Sequence, residues 1–264
     1  LFKYTLTIIL MLNIAILIPS TTKGRNWSNI KESYLYNLTL KTFLLTRCNN
    51  YKYTFYIGYD EDDSILSNRE EQEVINKFST VFKDVVFIFI PMANVAKGHL
   101  TVMWNKLFKR AYDDNNDYFF QCGDDINFRT KNWITDSINM LKSNNDIGIT
   151  GPINNNYLIL TQVMVSRKHM EIFGWFFPEE IINWCCDDWY NIVYKPNHFF
   201  PLKNHFCSNE GGNPRYTINN DDNFTNMNSF RTNTENLRQK TKIMAEEHKK
   251  RILEYLLKGE PLNN

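Results

Sequence analysis

Four short apolar runs, each released into a polar loop and then an amphipathic stretch, constrain this chain more than any other feature. The runs cover residues 12–18, 53–59, 85–90 and 118–120. They are rich in Ile, Val, Phe and Tyr and nearly continuous in apolar character, the pattern of strands covered on both faces. Between them lie segments with helical periodicity, over 28–45, 70–82 and 98–113. Leu35, Leu38, Thr42 and Leu45 mark the inner face of the first, with Ser28 as its cap and Glu32 near its first turn. Val102, Leu107 and Ala111 mark that of the third. Strand, helix and strand in alternation predict an α/β fold, a mostly parallel central sheet flanked by helices.

Such a sheet binds ligands beyond the C-terminal ends of its strands, so the residues just after each run are the candidates for function. The first run ends in Pro19-Ser20-Thr21-Thr22-Lys23-Gly24-Arg25, a polar loop before a helix that suits a phosphate contact. The second ends in Asp60-Glu61-Asp62-Asp63, where Asp60, nearest the strand, suits a ribose or base. Lys97 and Gly98 open the third helix, close to where a phosphate would lie. The fourth ends in Gln121-Cys122-Gly123-Asp124-Asp125-Ile126-Asn127-Phe128. Adjacent carboxylates repel unless a cation or water lies between them, and on their own Asp124 and Asp125 are better read as a solvated turn than as a site. Their place as the fourth acidic or polar strand end in an alternating sheet favours a divalent-metal site.

The rest of the chain is less regular. A helix is expected over 132–142, strands over 147–150 and 158–166, and short helices over 167–173 and 189–194. A second acidic pair, Asp187-Asp188, lies between Trp184 and Trp189, and burial there would raise a carboxyl's pKa into the range of a base. His205, Gly211-Gly212 and Arg215 come next, with His205 and Arg215 as candidates for metal and diphosphate. Residues 217–234 read as a polar linker, and 235–257 as an amphipathic helix carrying Leu237, Ile243, Ile252 and Leu256. Residues 1–10 form an apolar extension left unassigned, and Met11 makes a natural start to the first strand.

Composition excludes several classes. A formal net charge of +1 and the lack of a basic stripe argue against nucleic acid. No G-x-G-x-x-G or G-x-x-x-x-G-K-[ST] is present, which removes the ordinary dinucleotide and P-loop readings. Five cysteines, with no C-x-x-C spacing, indicate neither a zinc cluster nor a disulfide framework. They favour a reducing compartment such as the cytoplasm, and the net charge and missing targeting signals favour a soluble protein over a Golgi-type membrane protein. Membrane association is expected only if the apolar N-terminus is an anchor.

From residue 12 to residue 216 this arrangement resembles the GT-A fold glycosyltransferases, the nucleotide-sugar-dependent class. The carriers are I-L-I-P-S-T-T-K-G-R, Y-I-G-Y-D-E-D-D, Q-C-G-D-D-I-N-F and F-G-W-F-F-P…N-W-C-C-D-D-W-Y. In style and Asn-rich composition they are similar to enzymes of large DNA viruses and protists. The resemblance implies a GT-A domain over 11–216 with a linker and C-terminal helix over 217–264. It implies an x-D-D variant of the D-x-D motif, in which Asp125 contacts Mn²⁺ or Mg²⁺, Asp124 shares the metal or faces the donor sugar, and Gly123 stands where the first carboxylate is missing. It implies His205 as a late metal ligand, and Asp188, with Asp187 as alternate, as the base of an inverting reaction. Donor contacts would come from Pro19, Ser20, Thr21, Arg25, Asp60, Lys97, Gly98 and Arg215. The expected partners are a UDP-type sugar donor and a hydroxyl acceptor on a glycan or protein. A sugar nucleotidyltransferase is a weaker alternative, since its Gly-rich basic first loop is absent. A catalytically inactive carbohydrate-binding or scaffold descendant of the same fold is the other.

Overall fold

The computed structural model describes residues 11–212 and 227–259, the side chains of 227–231 excepted. Eight strands form one mixed sheet: β1 (Asn13–Ser20), β2 (Lys52–Tyr59), β3 (Val85–Pro91), β4 (Tyr118–Gln121), β5 (Ile126–Phe128), β6 (Ile149–Ile153), β7 (Val163–Ser166) and β8 (Phe199–Asn209). The spatial order is β3-β2-β1-β4-β7-β6-β8-β5. The four strands expected from the alternating pattern run parallel to one another, with Ser20 opposite Tyr59 and Leu17 opposite Gln121. Beyond β4 the sheet turns mixed: β7 is antiparallel to β4 and β6, β8 is parallel to β6, and β5 is antiparallel to β8.

Period-two alternation explains the core. Along β1, Ile14, Ile16 and Ile18 point to one face and Ala15 and Leu17 to the other, all fully buried. The first face packs under α1 (Lys41–Thr46), α2 (Arg69–Val81) and α4 (Trp133–Lys142), with Phe43 edge-on to Phe55 and Phe128 stacked on Trp133. The second packs under α3 (Leu100–Asp113), α5 (Lys168–Phe173) and α6 (Cys186–Tyr194), where Phe108 meets Phe119 and Phe176 edge-on.

Several elements differ from the sequence expectation. The helix expected over 28–45 is broken into a 3₁₀ turn (Ile30–Glu32), a π-helical turn (Leu35–Leu40) and α1. Ser28 and Glu32 still pair, through the Ser28 amide and hydroxyl to the two carboxylate oxygens at 2.8 and 3.0 Å. Leu45 faces solvent rather than the core. The strand expected over 158–166 forms only at Val163–Ser166, because Asn-rich loop bonds hold the chain before it. β8, eleven residues long, has no counterpart among the expected strands, since its apolar residues do not alternate cleanly. Helix α7 (Met227–Gly259) begins inside the stretch expected to be linker. It docks on α5 and α6: Trp189 Nε1 donates to His248 Nδ1 at 3.2 Å, and Ala245 and Ile252 are buried, while Ile243 is exposed. Among the described residues no helix is long and apolar enough to cross a membrane. All five cysteines are free thiols.

Candidate active site

The sheet order reverses at β1: β2 and β3 lie on one side and β4 on the other. At such a point the loops leaving neighbouring strands diverge and open a crevice. Here the crevice is a cleft of about 890 Å³, lined by residues from the C-terminal ends of β1, β2 and β4 and from the start of α6.

Ser20, the last residue of β1, donates its hydroxyl to Asp124 Oδ2 at 2.7 Å, tying the first strand end to the fourth. Asp124 is only 2% exposed, so that bond fixes one carboxylate oxygen. Asp125 is positioned by glycines. A Cβ at Gly123 would come within 2.8 Å of Asp125 Oδ1, and one at Gly211 would overlap Oδ2 and lie 2.6 Å from its Cβ and Cγ. Asp125 therefore sits in a notch that only glycine on both sides leaves open. The backbone beneath it is stapled by Thr39 and Thr42 of the first helical segment, whose hydroxyls accept from the amides of Ile126 and Phe128 at 2.9 and 3.0 Å. The amide of Glu210 closes the other side on the Asp125 carbonyl at 3.0 Å.

The acidic turn after β2 divides its labour. Asp60 lines the cleft and pairs with Lys23 at 3.5 Å; Lys23 also contacts Asp62. Asp63 is fully buried and turns back to hold the β1 loop. It accepts from the Thr22 amide and hydroxyl, both at 2.6 Å, from the Thr21 hydroxyl at 3.1 Å and from the amides of Ile65 and Leu66. Burial alone would raise its pKa, yet these hydrogen bonds bring it below the ordinary carboxylate value.

On the facing wall, α6 starts at Cys186, so Asp187 and Asp188 occupy its first turn, where the helix dipole favours negative charge. The backbone reaches it through Cys185, held in the left-handed region at φ 68°. Burial pushes the Asp187 carboxyl up to about 7; the hydrogen bond from Cys186 Sγ, at 3.5 Å, opposes that rise and the charge of Asp188 adds to it. Asp188 and Arg238, from α7, both contact the Cys185 thiol, which burial raises to about 12. The two walls are joined where the Asn183 side-chain amide donates to the Gly98 carbonyl at 3.0 Å.

The cleft thus gathers Pro19, Ser20, Thr21, Asp60, Lys97, Gly98, Asp124, Asp125, Asp187 and Asp188, all singled out by sequence. It does not gather His205 or Arg25. The His205 ring is taken by Asp136 of α4 at 2.7 Å and Thr130 at 3.2 Å, away from the cleft lining. Arg25 instead donates to the Gly211 carbonyl at 2.9 Å and helps shape the notch around Asp125. Arg215 lies outside the described residues. Among the tryptophans around α6, Trp189 is core and Trp175 packs on it, while Trp184 lines the cleft. Sequence reasoning missed Trp104, Gln121, Asn154 and Arg238 as lining residues. Gln121 left a trace, a polar residue ending an otherwise apolar strand; the others left none, because loops and a distant helix bring them in.

The carboxylates are hard oxygen donors, the chemistry that suits Mg²⁺ or Mn²⁺ rather than a soft metal. Among the described residues no group of three His, Cys, Asp or Glu side chains converges to hold a metal by itself. Carboxylates also outnumber cations along the cleft.

No protein-family profile matches the chain, and no curated protein does. Solved structures do. The chain is similar to S. aureus TarS residues 1–349 in complex with UDP, with a TM-score of 0.54 and 10% identity over 75% of this chain and 60% of that one. The complex of the same protein with UDP-GlcNAc gives 0.53 and 11% identity over 77% and 60%. Full TarS gives 0.51 and 10% identity over 74% of this chain and 36% of that one. The chain spans 60% of the TarS 1–349 structures and 36% of the longer one, and what it shares with them is the fold.

Proposed function

We propose that this protein is a glycosyltransferase that moves a sugar from a nucleoside diphosphate, UDP by preference, to a hydroxyl acceptor. The observation that carries this is the pairing of two acidic walls across one cleft at the sheet's reversal point: Asp124 and Asp125 at the end of β4, Asp187 and Asp188 at the start of α6. The cleft's volume suits a nucleotide-sugar with room for an acceptor. The solved complexes of TarS with UDP and UDP-GlcNAc support the donor class.

A diphosphate entering a cleft richer in carboxylates than in cations needs a counter-charge. Asp125, with Asp124, would hold a Mg²⁺ or Mn²⁺ ion together with the donor's own phosphate oxygens, since the described residues alone offer no full ligand set. Such an ion supplies charge neutralisation at the departing diphosphate. The chain's residues do the rest. Ser20 holds Asp124 in place, Lys97 and the Gly98 amide face the phosphates, and Asp60, oriented by Lys23, meets the ribose or base. Across the cleft, Asp187, with its carboxyl near neutrality, has the proton affinity of a base for an acceptor hydroxyl in an inverting reaction. Asp188, one residue on, is the alternate base or orients the acceptor.

The test is a thermal-shift and calorimetric titration with UDP and UDP-sugars, with and without Mn²⁺. Binding predicts stabilisation of about 2.7 kcal/mol at a hundredfold excess over Kd, and Asp125→Asn should abolish the Mn²⁺-dependent part. Absence of both UDP binding and UDP-sugar hydrolysis overturns the proposal. UDP binding unaffected by Asp125→Asn, with no turnover, points instead to an inactive binding descendant of the fold.

A further inference from the structure

Three buried polar atoms on the cleft wall have no hydrogen-bond partner among the described residues: Gln121 Oε1 at the end of β4, Asn154 Nδ2 just after β6, and Trp104 Nε1 on α3. An unmet buried donor or acceptor costs about 1–3 kcal/mol, so three among the residues lining one cleft point to a ligand that meets them. One is an acceptor and two are donors, and none is charged. Hydroxyl groups both donate and accept, which makes a polyol the chemistry that answers all three.

The mouth of the cleft beside Asn154 adds a second observation. Tyr157 and Leu158 are 81% and 84% exposed. Their loop is held by specific bonds: Asn154 Oδ1 accepts from the Asn156 amide at 2.7 Å, Asn156 Oδ1 from the Leu158 amide at 3.1 Å, and Asn155 and Asn209 exchange two bonds across the loop. Leu158 lines the cleft and Tyr157 adjoins it, so two large side chains are presented to solvent at its edge, the kind of aromatic and aliphatic surface on which the C–H faces of sugar rings stack. Asp187 and Asp188, on the acceptor side, disfavour a negatively charged acceptor.

We infer that the acceptor is a neutral oligosaccharide: its terminal unit lies against Gln121, Asn154 and Trp104, and its next units leave over Tyr157 and Leu158. This rests on the glycosyl-transfer reading above, and the measurement separates the two. Wild type, Tyr157→Ala and Tyr157→Trp are titrated by calorimetry with neutral trisaccharides (maltotriose, chitotriose, xylotriose), the matching monosaccharides, tri-galacturonate and a serine-rich peptide, each in the presence of UDP and Mn²⁺. A neutral trisaccharide is expected to bind. Tyr157→Ala should weaken it by about tenfold, leave the monosaccharide's weaker affinity unchanged and not lower the melting temperature, and Tyr157→Trp should restore the loss. Binding of UDP with tri-galacturonate or the peptide preferred over every neutral trisaccharide overturns the acceptor class but not the donor reading. Equal loss for mono- and trisaccharide on Tyr157→Ala overturns the exit path. Absence of UDP binding overturns the donor reading and this inference with it.

Discussion

Asp187 carries the site's clearest pH signature. Its carboxyl is raised to about 7 by burial, against about 3.9 in an unfolded chain. Between those values the unfolded state has released its proton and the folded state has not, so stability falls as pH rises from about 4 to 7 and is level above that. Asp187→Asn should remove this slope, read as melting temperature against pH. If Asp187 is the base, transfer in wild type should rise through pH 7 and that limb should vanish in the variant; a limb retained in Asp187→Asn and lost in Asp188→Asn assigns the role to Asp188. Gly211 is the second residue whose chemistry is exposed only by contact. Gly211→Ala drives a methyl into Asp125 Oδ2, so the carboxylate must leave its notch. Mn²⁺-dependent UDP affinity should drop by about tenfold or more while stability changes by only about 1 kcal/mol. Unchanged affinity in calorimetry shows that the notch does not set the site.

At the level of elements, the β1 loop and the β2 turn act as one unit through Asp63. Removing that carboxylate leaves buried donors from Thr22, Ile65 and Leu66 unmet. Asp63→Ala should therefore cost about 3 kcal/mol, a melting point lower by roughly 6–12 °C. Because the folded pKa is depressed, the contribution of Asp63 is fully present above the unfolded carboxylate value and is lost as pH falls through the folded one. Urea unfolding at pH 7 and at low pH measures both, and equal midpoints for wild type and variant at pH 7 refute the clamp. The sequence marked this turn only as acidic. Its neighbouring carboxylates look alike on paper; which one turns inward depends on where the β1 loop passes. Helix boundaries show the same limit. The pattern from 28 to 45 is helical in period, yet a π turn at Leu35–Leu40 interrupts it beside the carboxylate loop, and apolar spacing carries no sign of that.

In the whole molecule, the parallel half of the sheet was readable because its strands are dominated by apolar residues: β1 and β4 are buried on both faces, and even the edge strand β3 stays apolar where Val86 is exposed. Of the mixed half, the sequence marked strands near β6 and β7 but not β8 or the pairing, because the paired segments are far apart in the chain. The cleft shows the same division. Its carboxylates and its phosphate-side loop sit at strand ends, and strand ends can be found from hydrophobic pattern. Gln121, Asn154 and Trp104 come from three elements that only the closed sheet brings to one cleft. Arg238 arrives from a helix more than a hundred residues after Asp125. His205 shows the converse: a residue type right for a metal, engaged instead by Asp136 of α4. By itself the sequence determined the α/β class, the four parallel strands and the two acidic pairs, because these rest on periodicity and on the polar residues at the end of a buried strand. Only the tertiary structure decided which carboxylate is notched, which is clamped and which is raised to neutrality. Those differences come from desolvation and contacts between segments distant in the chain, and no local pattern encodes them.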